Sequence, residues 1–161
     1  MDLKVSFRRD ASGDSHCFSD IFAGFDKVEA VTKLFGKRSG EVLGATKIRL
    51  VKTKGYLRVD NDTGDIIVCQ PYLKTADERH FYLDLIHELV HVRQFHEGKD
   101  LYNKQYAYVD RPTEIEAYAV AVDEARRIGM SEHEIIDYLK VDWVSDADFQ
   151  RMLKALKVTK V

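Results

Sequence analysis

The sequence predicts an α+β fold: a small, mostly antiparallel sheet backing one long helix, a second helix against that one, and further helices at the carboxyl-terminal end. Three observations lead there. Short alternating runs separated by turn residues fill the first seventy positions. Apolar residues then recur at spacings of three and four from about 76 to 96. Capped, helix-patterned stretches make up the rest.

In chain order, Leu3-Lys-Val-Ser-Phe7 alternates apolar and polar, as a half-buried strand does. Asp26 to Phe35 reads as a helix with Val28, Val31, Leu34 and Phe35 inward, ended by Gly36. Lys47 to Val51 and Tyr56 to Val59 are strands, with Lys52-Thr-Lys-Gly55 between them as a hairpin signal. Asp60-Asn-Asp-Thr-Gly64 is a second turn, and Asp65 to Gln70 a third strand before Pro71. Thr75-Ala-Asp-Glu78 fits a capping box opening a helix from about Ala76 to His96, with Phe81, Tyr82, Leu85, Ile86, Leu89 and Val90 as its stripe and Gly98 as its stop. Thr113 can cap a helix that runs to about Ile128 and stops at Gly129. Ser131-Glu-His-Glu134 is another capping box, opening a helix to about Leu139, and Ser145 caps a last helix carrying Phe149, Met152, Leu153 and Leu156. Residues 1–129 are thus expected to form the main domain and 130–161 a helical extension packed on it.

The long helix carries His87-Glu88-Leu89-Val90-His91, an H-E-x-x-H motif. Imidazoles four residues apart stand about 6 Å apart along the axis and share a face, so they can converge on one metal ion. Glu88 follows about 100° around the helix. A carboxylate there is placed to take a proton from an activated water rather than to bind metal. The pattern reads as a zinc hydrolase with one ion.

Catalytic zinc usually holds three protein groups. No third histidine follows at close spacing: His96 lies about 140° from His91 around the helix. The search moves to Arg111-Pro-Thr-Glu-Ile-Glu-Ala-Tyr-Ala119. There Glu114, Ala117, Ala121, Ala125 and Ile128 form a face of small and apolar residues, while Glu116 heads a more polar stripe with Val120, Asp123 and Arg127. Small residues let two helices approach closely, so Glu114 is the preferred ligand and Glu116 the reserve. A first-turn glutamate is also favoured simply by the helix dipole.

His87-Glu88-x-x-His91 with Glu114-x-x-Ala117 on a later helix resembles the gluzincins, zinc metallopeptidases with two histidines and a downstream glutamate. The short insert and the Glu114-Ile-Glu116-Ala117 wording are similar to compact members such as the ImmA/IrrE-type regulatory peptidases. The resemblance spans roughly Ile66 to Ile128. It implies a zincin-like fold, zinc at His87, His91 and Glu114, Glu88 as general base, and a peptide or protein substrate held in extended form along one edge strand. Where many gluzincins carry an aspartate four residues after the ligand glutamate, this chain has Tyr118. A partner for the zinc-binding imidazoles is then expected elsewhere, from Asp84 or Asp123.

Hydrolysis of an amide also needs a donor to the developing oxyanion. The connection Tyr102-Asn-Lys-Gln-Tyr106-Ala-Tyr108 offers phenols, with Tyr106 or Tyr108 favoured over Tyr102. Tyrosines at such spacing also serve simply to pack a loop.

Composition bounds the remainder. The chain has 161 residues, 45% hydrophobic and 32% charged, with a net charge of −2. That balance offers no electrostatic case for nucleic acid or an anionic membrane. No apolar run reaches the roughly 18 residues of a membrane span, and the start Met1-Asp-Leu-Lys is unlike a secretory signal. A cytoplasmic setting is the default expectation; oligomeric state is not legible. Cys17 and Cys69 make no disulfide framework. A Cys17 thiolate occupying the open zinc position is one idea; a half-buried packing role beside Phe18 is the plainer one.

Three function classes result. The leading one is a zinc-dependent peptidase. A zinc-holding regulatory or binding protein with little turnover is the alternative, weighed against by the intact Glu88. A helix-rich interaction module with an accidental motif is the third.

Overall fold

The computed structural model describes residues 3–159; Met1, Asp2, Lys160 and Val161, the outer ends of the two regions assigned above, lie outside it. In chain order, β1 (Ser6–Phe7), β2 (Ser15–Cys17), α1 (Phe18–Ile21) and β3 (Phe22–Ala23) lead into α2 (Glu29–Phe35) and α3 (Ser39–Ala45). Strands β4 (Lys47–Val51), β5 (Leu57–Val59) and β6 (Ile66–Cys69) follow, then α4 (Gln70–Thr75) and the long α5 (Glu78–His96). Helices α6 (Pro112–Arg127), α7 (Glu132–Leu139) and α8 (Asp146–Ala155) complete the chain.

The main sheet has the order β2-β4-β6-β5. Strand β2 is antiparallel to β4, β4 is parallel to β6 with Ile48 opposite Ile66, and β5 is antiparallel to β6 with Val59 opposite Ile66. Two of the three pairings are antiparallel, so the sheet is mostly so. Lys52–Gly55 nevertheless joins no hairpin, because β6 lies between the two strands it connects. The reason is burial. Ile66, Ile67 and Val68 are almost fully enclosed, as a central strand demands. Arg58 gives β5 a wet face that suits the edge position.

The Asp60–Gly64 turn does close a true hairpin, between β5 and β6. Gly64 has φ of 78°, and a Cβ there would come within 2.6 Å of the Phe95 ring on α5. The turn therefore packs directly beneath the long helix.

Local signals at element ends differ from expectation in instructive ways. Thr75 ends α4, donating its hydroxyl to the Pro71 carbonyl, and Asp77 instead caps α5 by accepting from the His80 amide. Pro71 stands in the first turn of α4 and so begins a helix rather than only ending a strand. Thr113 does not cap α6. It donates to the Leu101 carbonyl at 2.6 Å, and the helix starts at Pro112 after Arg111. The expected 26–35 helix divides at Val28, whose extended backbone separates a 3-10 turn at Phe25–Lys27 from α2. Of the expected strand Leu3–Phe7, only Ser6–Phe7 pairs, with Phe22 and Ala23. The Ser131 capping box and the Ser145 cap form as read.

Rings of Phe7, Phe18, Phe22, Phe25 and Phe81 pack at centroid separations such as 5.2 Å and 5.4 Å under the first turns of α5. One apolar cluster continues from these residues through Leu85 and Leu89 to Ile135, Leu139, Met152 and Leu153. The terminal helices thus share the core of the preceding region. Arg151 on α8 also makes two hydrogen bonds to Asp110, at 2.7 and 2.9 Å. No helix among the described residues is long and apolar enough to cross a membrane.

Candidate metal centre

Helix α5 presents His87 and His91 one turn apart on its buried side. Helix α6 packs on it through Ala117, Ala121 and Ala125, all fully enclosed, so the two backbones approach closely and Glu114 on the first turn reaches the imidazoles. The His87 Nε2 atom is 3.2 Å from Glu114 Oε1 and 3.1 Å from His91 Nε2, and His91 Nε2 is 2.5 Å from Glu114 Oε1. Ligand atoms of the three residues all lie within 4.8 Å of one another, a buried group that can hold a metal ion.

The residues fit zinc on their chemistry. Two imidazole nitrogens and one carboxylate oxygen are a common catalytic donor set. Bonds of roughly 2.0–2.1 Å at a tetrahedral ion place ligand atoms about 3.3 Å apart. Two of the three separations are already near that value, and the His91–Glu114 pair needs to open by less than an ångström. The charges fit as well. Burial opposes a charge on His91, but the Glu114 and Glu88 carboxylates outweigh it and raise its pKa to about 9. Burial alone lifts Glu114, yet hydrogen bonds from the two imidazoles hold it far below the usual carboxylate range. His87 is shifted down, chiefly by burial. A divalent cation at that point would serve the same acceptors.

Glu116, the reserve ligand, has another task. It accepts from Gln94 Nε2 at 2.8 Å and pairs with Arg93 at 3.0 Å, while Gln94 Oε1 accepts from His91 Nδ1 at 2.7 Å. The partner that orients His91 is therefore Gln94, a buried residue, and neither Asp84 nor Asp123. Asp123 is exposed on α6. Asp84 accepts instead from the hydroxyls of Tyr72 and Tyr138, at 2.5 and 3.0 Å. His87 Nδ1 has no protein partner, and the Tyr118 ring packs on the imidazole at a centroid distance of 4.2 Å.

Glu88 stands beside the cluster with its Oε2 atom buried and without a partner. Burial raises its pKa to about 8. It borders a cavity of about 380 Å³ together with His87, His91, Glu114, Leu57, Arg58 and a set of aromatic residues. That volume accommodates a few amino-acid residues.

The tyrosines sort clearly. Tyr106 is 44% exposed and does not line the cavity. Tyr108 lines it, and its hydroxyl lies 2.5 Å from that of Tyr118, which lines it too. Tyr118 lies outside the tyrosine-rich connection, yet a residue four beyond Glu114 stands on the same helix face, which is the sequence signal that it reaches the same site. Tyr102 also borders the cavity, but its hydroxyl is engaged by the main chain of Val59, accepting from the amide at 3.1 Å and donating to the carbonyl at 2.7 Å. Cys17 is exposed on β2, at the edge of the sheet opposite β5, and is not among the cavity residues. No protein-family model, curated protein or solved structure matches the chain.

Proposed function

We propose that the chain is a zinc-dependent peptidase with a zincin-like fold of the gluzincin kind, in which His87, His91 and Glu114 hold the ion. The observation that carries this reading is the convergence of those three donors beside an unpartnered glutamate oxygen on the wall of one cavity. A purely structural metal site needs no such base.

Zinc bound there would activate a water molecule and polarise the scissile carbonyl. Glu88 Oε2 accepts the proton of the attacking water and delivers it to the leaving amine. The Tyr118 hydroxyl, steadied by Tyr108, is the donor for the oxyanion. An extended substrate lies along β5, the sheet edge that borders the cavity. The Val59 main chain faces outward, onto Tyr102, and strand alternation turns the Leu57 N–H and C=O to the same open side. Leu57 is thus the residue whose backbone pairs with the peptide, and Tyr102 ends the available edge.

The test combines metal content with one substitution. Purified protein is expected to carry one zinc per chain, lost in His87→Ala. Glu88→Gln keeps the zinc and loses peptide cleavage by about 10²–10⁴-fold. Cleavage undiminished in Glu88→Gln rejects the proposal.

A further inference from the structure

We infer that the part of the cavity around Asp84 is a subsite for an organic cation, the ammonium or guanidinium of a residue next to the bond being cleaved. The inference rests on the peptidase reading and extends it to substrate class.

Asp84 precedes Glu88 by one turn of α5, so the two carboxylates share a face about 6 Å apart along the axis. Both line the same cavity. The two partners of Asp84, the hydroxyls of Tyr72 and Tyr138, are neutral donors that leave its charge uncompensated. Among the described residues no lysine, arginine or histidine forms an ion pair with it. The basic side chains that border the cavity are placed otherwise. Arg58 and Lys140 are exposed, and Arg111 donates to the Asn103 carbonyl and lies over the Tyr102 and Tyr108 rings. His80 meets the Tyr138 ring at 5.3 Å, edge to face. A secluded carboxylate without a counter-ion is costly, and a cationic guest relieves that cost.

The walls suit the same guest. Tyr56 packs on Tyr72 at 5.0 Å and on Trp143 at 5.7 Å, and these three rings border the cavity beside Asp84. Tyr56 and Trp143 are 45% and 55% exposed, so part of their surface is free to contact a ligand. Aromatic faces together with a carboxylate attract ammonium and guanidinium groups and repel anions. An apolar side chain would satisfy the rings but leave the Asp84 charge alone.

Trp143 is the single tryptophan and reports occupancy by its fluorescence. Zinc-loaded Glu88→Gln protein is titrated with acetyl-Ala-Lys-Ala-Ala-amide and with its norleucine counterpart. A second pair compares norleucine-Ala-Ala-amide, which has a free α-ammonium, with its acetylated form. A preference of about tenfold for the charged member is expected in one pair, and the pair that shows it tells side chain from chain terminus. Asp84→Asn brings the ratio to within about twofold, and Tyr56→Leu, at an exposed position that folding tolerates, lowers it at least about threefold. Equal affinities within both pairs overturn the inference while leaving the peptidase reading intact, as does a preference unchanged in the variant that folds. Absence of binding by every peptide overturns both.

Discussion

Gln94 accepts the Nδ1–H of His91 at 2.7 Å, and its own amide nitrogen is anchored to Glu116 and to the Thr113 carbonyl. A chain of hydrogen bonds therefore runs from the start of α6 through Gln94 to the His91 imidazole on α5. It fixes the ring so that Nε2 faces Glu114. Gln94→Ala is expected to weaken zinc binding by about 10–100-fold, measured by competition with a chelator, while the helix content is unchanged. Glu116→Ala, one step further out, is expected to have a smaller effect in the same direction. Unaltered zinc affinity in Gln94→Ala would remove this chain from the account.

Tyr118 and Tyr108 share a hydroxyl–hydroxyl contact at the cavity wall. Tyr118→Phe keeps the ring on His87 and removes only the donor. Peptide turnover is expected to fall by about 10²-fold with zinc content preserved. Tyr106→Phe, at an exposed site, is expected to change neither. Equal rates for wild type and Tyr118→Phe would assign the tyrosine to packing alone.

Burial lifts the pKa of Asp84 to about 6, against an ordinary value of 3.8, with the two phenol hydrogen bonds offsetting part of the rise. Between those values the folded chain holds a proton that the unfolded chain has lost. Its contribution to stability is therefore complete below about pH 4 and disappears as pH rises through 6, a change of about 3 kcal/mol. Chelator-treated wild type and Asp84→Asn, unfolded in urea from pH 4 to 7, should diverge with that sign. A constant difference across the range contradicts it.

Gly64 joins β5 to β6 with φ of 78°, against the Phe95 ring. Gly64→Ala adds a disfavoured backbone conformation and a steric overlap, for an expected loss of about 2–4 kcal/mol in urea unfolding. The pair Gly64→Ala with Phe95→Leu should recover part of that loss, because a smaller side chain vacates the contact. Full additivity of the two would show that the ring is not the obstacle.

The sequence was most informative where chemistry depends on local spacing. Imidazoles four residues apart need only a helix to converge, and the alanine face of α6 distinguishes Glu114 from Glu116 by spacing alone. Signals at the ends of elements were less faithful. Thr75 and Thr113 look like caps by type, but each hydroxyl found a nearby carbonyl; Asp77 caps α5 instead, and α6 opens on Pro112 without a side-chain cap. Lys52–Gly55 correctly marks a reversal of the chain but not what fills the gap between its strands, since that depends on Ile66–Val68 seeking burial. Gln94 and Tyr118, three and four residues beyond His91 and Glu114, stand within reach of helical spacing, whereas Asp84 meets Tyr72 of α4 and Tyr138 of α7, contacts that no periodicity within α5 announces.

The Tyr102 hydroxyl, by occupying both polar groups of Val59, also changes how one molecule meets another. An outer strand with bare amides and carbonyls invites a neighbour to extend the sheet, the first step of fibrous self-association. Here one rung of that ladder is sealed from within. The remaining short stretch at Leu57 opens into the cavity, where a slender guest fits and a second folded copy does not.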